Sequence, residues 1–118
     1  MQLFVLKSKI HRAKITGSSI NYEGSLTISS DLMKKVGFKP YEKILCSNLA
    51  NGNRFETYVI AGEAGKGEII LNGAAARMGL VGDSLTIMSF TLIDEEKSDD
   101  WHPRVIVLGE KNAIISEK

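Results

Sequence analysis

The chain has 118 residues, 43% hydrophobic and 25% charged, with 15 basic and 14 acidic side chains for a net charge of +1. That describes one soluble globular domain over residues 1–118 with a modest core, since a chain of this size buries about 60 to 70% of its unfolded surface. Near-neutrality excludes the strong field that draws nucleic acid or anionic membranes.

The N-terminal MQLFVLKSKIHR has no apolar core followed by a small-residue cleavage site, and no run is apolar enough to span a bilayer, so a cytoplasmic protein is expected. Short β-like runs separated by glycine and asparagine then dominate, at Leu3–Leu6, Ile10–Thr16, Ser25–Ile28, Lys43–Leu49, Phe55–Ala61, Glu68–Leu71, Ser84–Leu92 and Arg104–Leu108. Two short helices interrupt them. SSDLMKKVG has Ser30 as a cap, Asp31 at the positive end of the dipole and Gly37 as a left-handed stop, and a single turn is expected at Ala74–Met78.

Between the strands, Asn51-Gly52 is a strong hairpin signal because both residues tolerate positive φ. GEAGKGE, Gly62–Glu68, lacks phosphate-loop spacing and reads as a hairpin loop, while DEEKSDD, Asp94–Asp100, reads as a solvated loop. The lone cysteine, Cys46, sits in the apolar KILCSNL and reads as a buried small hydrophobe, leaving no intrachain disulfide. His11 and His102 lie far apart with no partner at metal-ligand spacing, so no metal is expected.

One stretch stands apart. In NYEGSLTI, Asn21–Ile28, a glycine-serine pair sits between two β-like runs, which by itself is an ordinary turn. KIHRAKIT, NYEGSLTI, NGNRFETYVI and LNGAAAR occur in this order and spacing, and together the chain resembles the pyruvoyl-dependent aspartate 1-decarboxylase family from the first strand to about Ser89.

The resemblance implies a small six-stranded double-psi β-barrel with short helices; composition and periodicity alone give only a mostly β barrel or sandwich. It implies a proenzyme that cuts itself between Gly24 and Ser25, giving chains 1–24 and 25–118. Ser25 Oγ attacks the Gly24 carbonyl, the resulting ester eliminates to dehydroalanine, and hydrolysis releases ammonia and leaves a pyruvoyl group derived from Ser25. No pyridoxal phosphate is then needed, because an iminium between that carbonyl and the substrate amine accepts the electrons left by carbon dioxide. The implied reaction converts L-aspartate to β-alanine in pantothenate, and hence coenzyme A, synthesis.

By the same resemblance Thr57 assists cleavage, with Asn72 and the NGAAA turn holding the site; Tyr58 is the proton donor; and Lys9, Arg54, Thr57, Gly73, Ala74 and Ala75 bind substrate. Arg54 suits a carboxylate because its planar fork donates two parallel hydrogen bonds. His11 and Tyr22 have supporting places near the cleavage region. On one extended strand Arg54 and Tyr58 share a face about 13 Å apart while Thr57 faces the other way, so either a bulge re-aims a side chain or different subunits share a site. Shared sites agree with the homotetramer that the resemblance implies, which also leaves room for an accessory maturation protein. Two rival readings stand beside it: a non-enzymatic β-barrel binding module, such as a DNA-binding regulator, and a pyruvoyl decarboxylase of another amino acid.

Overall fold

The computed structural model describes all 118 residues. Strand β1 (Gln2–Lys14) is followed by β2 (Gly17–Ser19), β3 (Ser25–Ser29), helix α1 (Ser30–Val36), β4 (Lys43–Asn48) and β5 (Arg54–Gly62). Next come β6 (Ile69–Asn72), a 3-10 helix at Gly73–Met78, β7 (Ser84–Asp94), a 3-10 helix at Glu95–Asp100, β8 (Arg104–Leu108) and β9 (Ile114–Glu117). The mostly β expectation holds. The sheet has nine strands in the order β2-β6-β3-β5-β4-β7-β1-β8-β9, where the resemblance implied six.

β1 is one strand where the alternation of the sequence suggests two. Its register against β7 slips between Leu6 and Ser8 and again between Ile10 and Ala13, and Arg12 takes φ 62 within the second bulge. Each slip interrupts the period of two, so the hydrophobic pattern lapses although the pairing continues. After β1 the chain stays close to the sheet: Thr16 N donates to Ile69 O at 2.8 Å and Thr16 Oγ1 accepts from Ile69 N at 3.0 Å. β2 then pairs in parallel with β6, the strand that starts at Ile69.

The core is a single cluster of 19 buried residues in which Ile10, Leu26, Ile44, Val59, Leu71, Ile87 and Ile106 come from seven different strands, with Leu32, Met33 and Val36 added by α1. Each fully buried branched aliphatic side chain adds about 1.5–3 kcal/mol. Cys46 belongs to this cluster, and burial pushes its thiol up to about 12, so it is inert.

Several local expectations change. α1 starts at Ser30, but the N-cap position is Ser29, whose hydroxyl does not cap; it donates to Glu63 O and accepts from Glu68 N. Gly37 does stop the helix, at φ 84 with its N–H on Met33 O. At the Asn51-Gly52 turn only Gly52 has positive φ, while the Asn51 side chain accepts from Asn53 N. Gly62–Glu68 is not a hairpin loop, because β3 lies between β5 and β6 and pairs in parallel with the first and antiparallel with the second. The acidic run forms a 3-10 helix with no buried residue, and the sequence reading missed β2 and β9.

One buried polar residue ties distant loops together. Asn112, 2% exposed, accepts from Lys14 N and donates to Lys14 O and Gly67 O. Removing a satisfied amide strands these buried groups, at about 1–3 kcal/mol. Asn112→Ala is therefore expected to lower the unfolding free energy in urea by about that amount, with the slope of the transition unchanged.

Candidate active site

Ser25 opens β3 and is 1% exposed. Its antiparallel partner is Asn72, the last residue of β6, itself 3% exposed. The Asn72 amide Nδ2 donates to Ser25 Oγ at 3.0 Å and to Thr27 Oγ1 at 2.8 Å, and Ser25 Oγ donates to the Glu23 carbonyl at 3.1 Å. Asn72 and Thr57 thus have different places: Asn72 touches the serine hydroxyl, whereas Thr57 lines a cavity together with Gly24.

That cavity, about 280 Å³, is lined by Gly24, Phe55, Glu56, Thr57, Ala74, Ala75 and Met78. The turn after β6 packs against Gly24. Gly73 has φ +63, and a Cβ placed there would lie 2.7 Å from both Gly24 Cα and Gly24 N and 2.8 Å from Tyr22 O. Only glycine permits that approach, for conformational and steric reasons together. Gly24 has no such crowding on its own Cβ side. Ser25 and Asn72 thus meet through a hydrogen bond, Gly24 and Gly73 through their backbones, and Gly24, Thr57, Ala74 and Ala75 line one cavity.

The remaining candidates lie elsewhere in the chain. Cross-strand partners share a face, and Arg54 pairs with Ser47, Ser47 with Thr86, while Thr86 Oγ1 sits 3.4 Å from His11 Nδ1. Lys9 pairs with Met88 on the next row, and Tyr58 pairs with Lys43. Alternating burial along these strands puts Ile44, Cys46, Leu85 and Ile87 in the core, so Lys9, His11, Arg54 and Tyr58 project from the opposite, outer face.

The β4–β5 register is unbroken from Lys43–Tyr58 to Ser47–Arg54, so no bulge re-aims Thr57, Tyr58 or Arg54. Tyr22 is exposed and makes no hydrogen bond to Ser25, whose hydroxyl bonds to Asn72 and the Glu23 carbonyl. Tyr58 instead sits against Tyr41, with ring centroids 6.2 Å apart. Arg54 is exposed and neither it nor Lys9 has a carboxylate partner within the chain. Burial, Arg12 and Lys9, in that order, lower the pKa of His11 and favour its neutral form.

No group of three or more histidine, cysteine or acidic side chains converges as metal ligands would. Sequence reasoning missed Thr27. The signal was present, because period-two alternation in SLTI puts Ser25 and Thr27 on one face of β3.

A family model for aspartate decarboxylase matches residues 1–115. The chain belongs to the aspartate decarboxylase family. It is 51% identical over 110 residues to an aspartate 1-decarboxylase of Desulfotalea psychrophila, covering 93% of this chain and 92% of that one. It is 50% identical to the same-named protein of Prosthecochloris aestuarii, covering 95% of this chain and 87% of that one. With that of Thermoanaerobacter pseudethanolicus it shares 47% identity over 98% of this chain and 99% of that one.

The Gly24–Gly73 approach generates a direct test. Gly73→Ala puts a methyl against backbone that has no room to yield, adding the strain of a positive φ at about 1 kcal/mol or more. This variant is expected to melt several degrees lower, read by circular dichroism, with the displaced 22–24 segment cut faster after Glu23 by added glutamyl protease.

Proposed function

We propose that this chain is a proenzyme that cuts itself between Gly24 and Ser25 into chains 1–24 and 25–118, then decarboxylates L-aspartate to β-alanine and carbon dioxide for pantothenate and coenzyme A synthesis. The observation that carries the reading is the Ser25 hydroxyl held by Asn72 beside the Gly24–Gly73 contact, in a chain about half identical to aspartate 1-decarboxylases along nearly its whole length.

In maturation, Ser25 Oγ forms a bond to the Gly24 carbonyl carbon while the Gly24–Ser25 C–N bond breaks and the nitrogen takes the proton. The ester loses its Cα proton, the Cβ–Oγ bond breaks, and Gly24 leaves as a carboxylate. Water then replaces the nitrogen of the dehydroalanine, releasing ammonia. Serine is a weak nucleophile, so position and a stabilised oxyanion must supply the rate. Asn72 supplies the first, and Thr57 supplies the second, a role supported by its lining the same cavity as Gly24.

The residues fit a pyruvoyl group at position 25, since that site is buried, hydrogen-bonded and next in the chain to Gly24, which lines a cavity with room for a small amino acid. The group supplies a carbonyl that takes the substrate amine and draws off the electron pair left by carbon dioxide. Ala74 and Ala75 wall the cavity with little bulk and Gly73 turns the chain against Gly24, Arg54 and Lys9 hold carboxylate, and Tyr58 returns a proton to the former α-carbon.

Because Thr57 and the Arg54–Lys9–Tyr58 set stand on opposite faces, a shared site between subunits of a homo-oligomer, a tetramer on the resemblance, is the arrangement that unites them. Support comes from the same outer face. It carries Phe4, Phe90 and Leu92, exposed by 76%, 45% and 49%, a patch that a second copy would cover.

The barrel belongs to this reading as well. Support lies in the continuity of β1 into β2: together they flank β7 at one end and β6 at the other, so β1/β2, β6, β3, β5, β4 and β7 make a ring of six, with β8 and β9 added outside it.

Two variants test the proposal. Ser25→Ala is expected to stay one uncut chain by intact mass and to release no β-alanine; turnover by that protein would end the reading. Arg54→Lys keeps the charge and loses the fork, so it is expected to mature fully while kcat/KM for aspartate falls roughly ten- to a hundredfold, the worth of a charge-assisted hydrogen bond. Near-normal turnover would remove Arg54 from the site, and a failure to cut would move it to folding or maturation.

A further inference from the structure

The Asn72 carboxamide carries two N–H groups and faces two hydroxyls, Ser25 Oγ at 3.0 Å and Thr27 Oγ1 at 2.8 Å. We infer that Thr27 is a positioning residue for self-cleavage, acting through Asn72 on Ser25. The inference rests on the reading that the chain cuts itself at Gly24–Ser25.

An amide at the end of an asparagine turns about a broad torsion, so one hydrogen bond leaves its plane poorly fixed. The second bond fixes it. Thr27 can serve as that anchor because its own rotamer is held: a Cβ on Gly62 would meet Thr27 Cγ2 at 2.8 Å, so the methyl already fills the space beside β5. The result is a directed chain, Thr27 Oγ1 accepting from Asn72, Asn72 donating to Ser25 Oγ, and Ser25 Oγ donating to the Glu23 carbonyl.

That chain bears on both difficult steps. Before attack it holds Oγ within a narrow range beside the adjoining Gly24 carbonyl, which is the entropic part of the barrier. During elimination the same oxygen departs from Cβ as part of the Gly24 carboxylate, and an N–H already aimed at it meets the developing charge. Thr27 touches neither the reacting carbonyl nor the departing oxygen, so its hydroxyl acts only by aiming Asn72.

The test follows newly made protein by intact mass against time, comparing the unmodified chain with Thr27→Val, Thr27→Ser and Thr27→Ala. Losing one neutral hydrogen bond should slow cleavage roughly three- to tenfold in Thr27→Val, while Thr27→Ser, which keeps the hydroxyl and loses only the methyl that steadies it, should cut clearly faster than Thr27→Val and close to the unmodified rate. A merely structural threonine would be rescued by shape rather than by hydroxyl, giving the reverse order. If Thr27→Val does not assemble, Thr27→Ser against Thr27→Ala isolates the hydroxyl in the same way. Cleavage of Thr27→Val at the unmodified rate, or Thr27→Ser as slow as Thr27→Val or Thr27→Ala, overturns the inference. An unmodified chain that never cuts overturns it by a different route, by ending the maturation reading itself.

Discussion

The pairing of Ser25 with Asn72 is the constraint on which the site depends. These residues face each other across the β3–β6 ladder, and the chain turns sharply on both sides of them, at Gly24 before β3 and at Gly73 after β6. Because the ladder fixes their separation, the amide reaches the hydroxyl and the two glycines meet backbone to backbone. A side chain at Gly73 would push the turns apart, and the cavity walled by Ala74 and Ala75 would lose its relation to Ser25. The site is thus a consequence of strand pairing rather than of a flexible loop, and this gives the precision that proximity effects require.

The division of faces follows from the same sheet. Thr57 alternates inward with Phe55 and Val59, while Arg54 and Tyr58 alternate outward, and nothing in the unbroken register of β5 changes this. A single chain holds the Ser25–Asn72 pair but leaves Arg54 and Lys9 on the outer face without a carboxylate partner. Exposed Phe4, Phe90 and Leu92 lie on that outer face too. Burying them against a second copy would bring unpaired charges into a less polar setting, where each is worth more to a carboxylate than in water.

Much of this was legible in the sequence, for identifiable reasons. Strands with one buried face announce themselves by alternation, so β3, β4, β5, β7 and β8 were located within a residue or two. β2 and β9 were not, because Gly17–Ser19 is short and nearly all polar and Ile114–Glu117 follows a turn that needs positive φ at Lys111 and Asn112. Ser30 was misjudged as the cap for a different reason: the cap position falls at Ser29, and its hydroxyl is taken by the Glu63 and Glu68 backbone, a tertiary contact that outcompetes local capping. At the site, the motifs led to Ser25, Thr57 and Asn72, but a motif does not say which atoms touch. Thr27 passed for an ordinary strand residue, since β-branched side chains favour strands whether or not their hydroxyls have work.

The position of the proposed cut also explains how the protein would survive it. Residues 20–24 belong to no strand and are exposed, so breaking the chain there removes no ladder. On its N-terminal side, β1 is held between β7 and β8 and buries Ile10 and Ala13 completely, with Ile15 just beyond it. On its C-terminal side, β3 is held between β5 and β6. The short fragment would therefore stay bound through a central strand, and the new chain end at position 25 would stay where pairing had put the serine. Cutting in the middle of β1 or β3 would expose core. A linker between two strands anchored on both edges is where a chain can be cut without losing the geometry that cutting is meant to create.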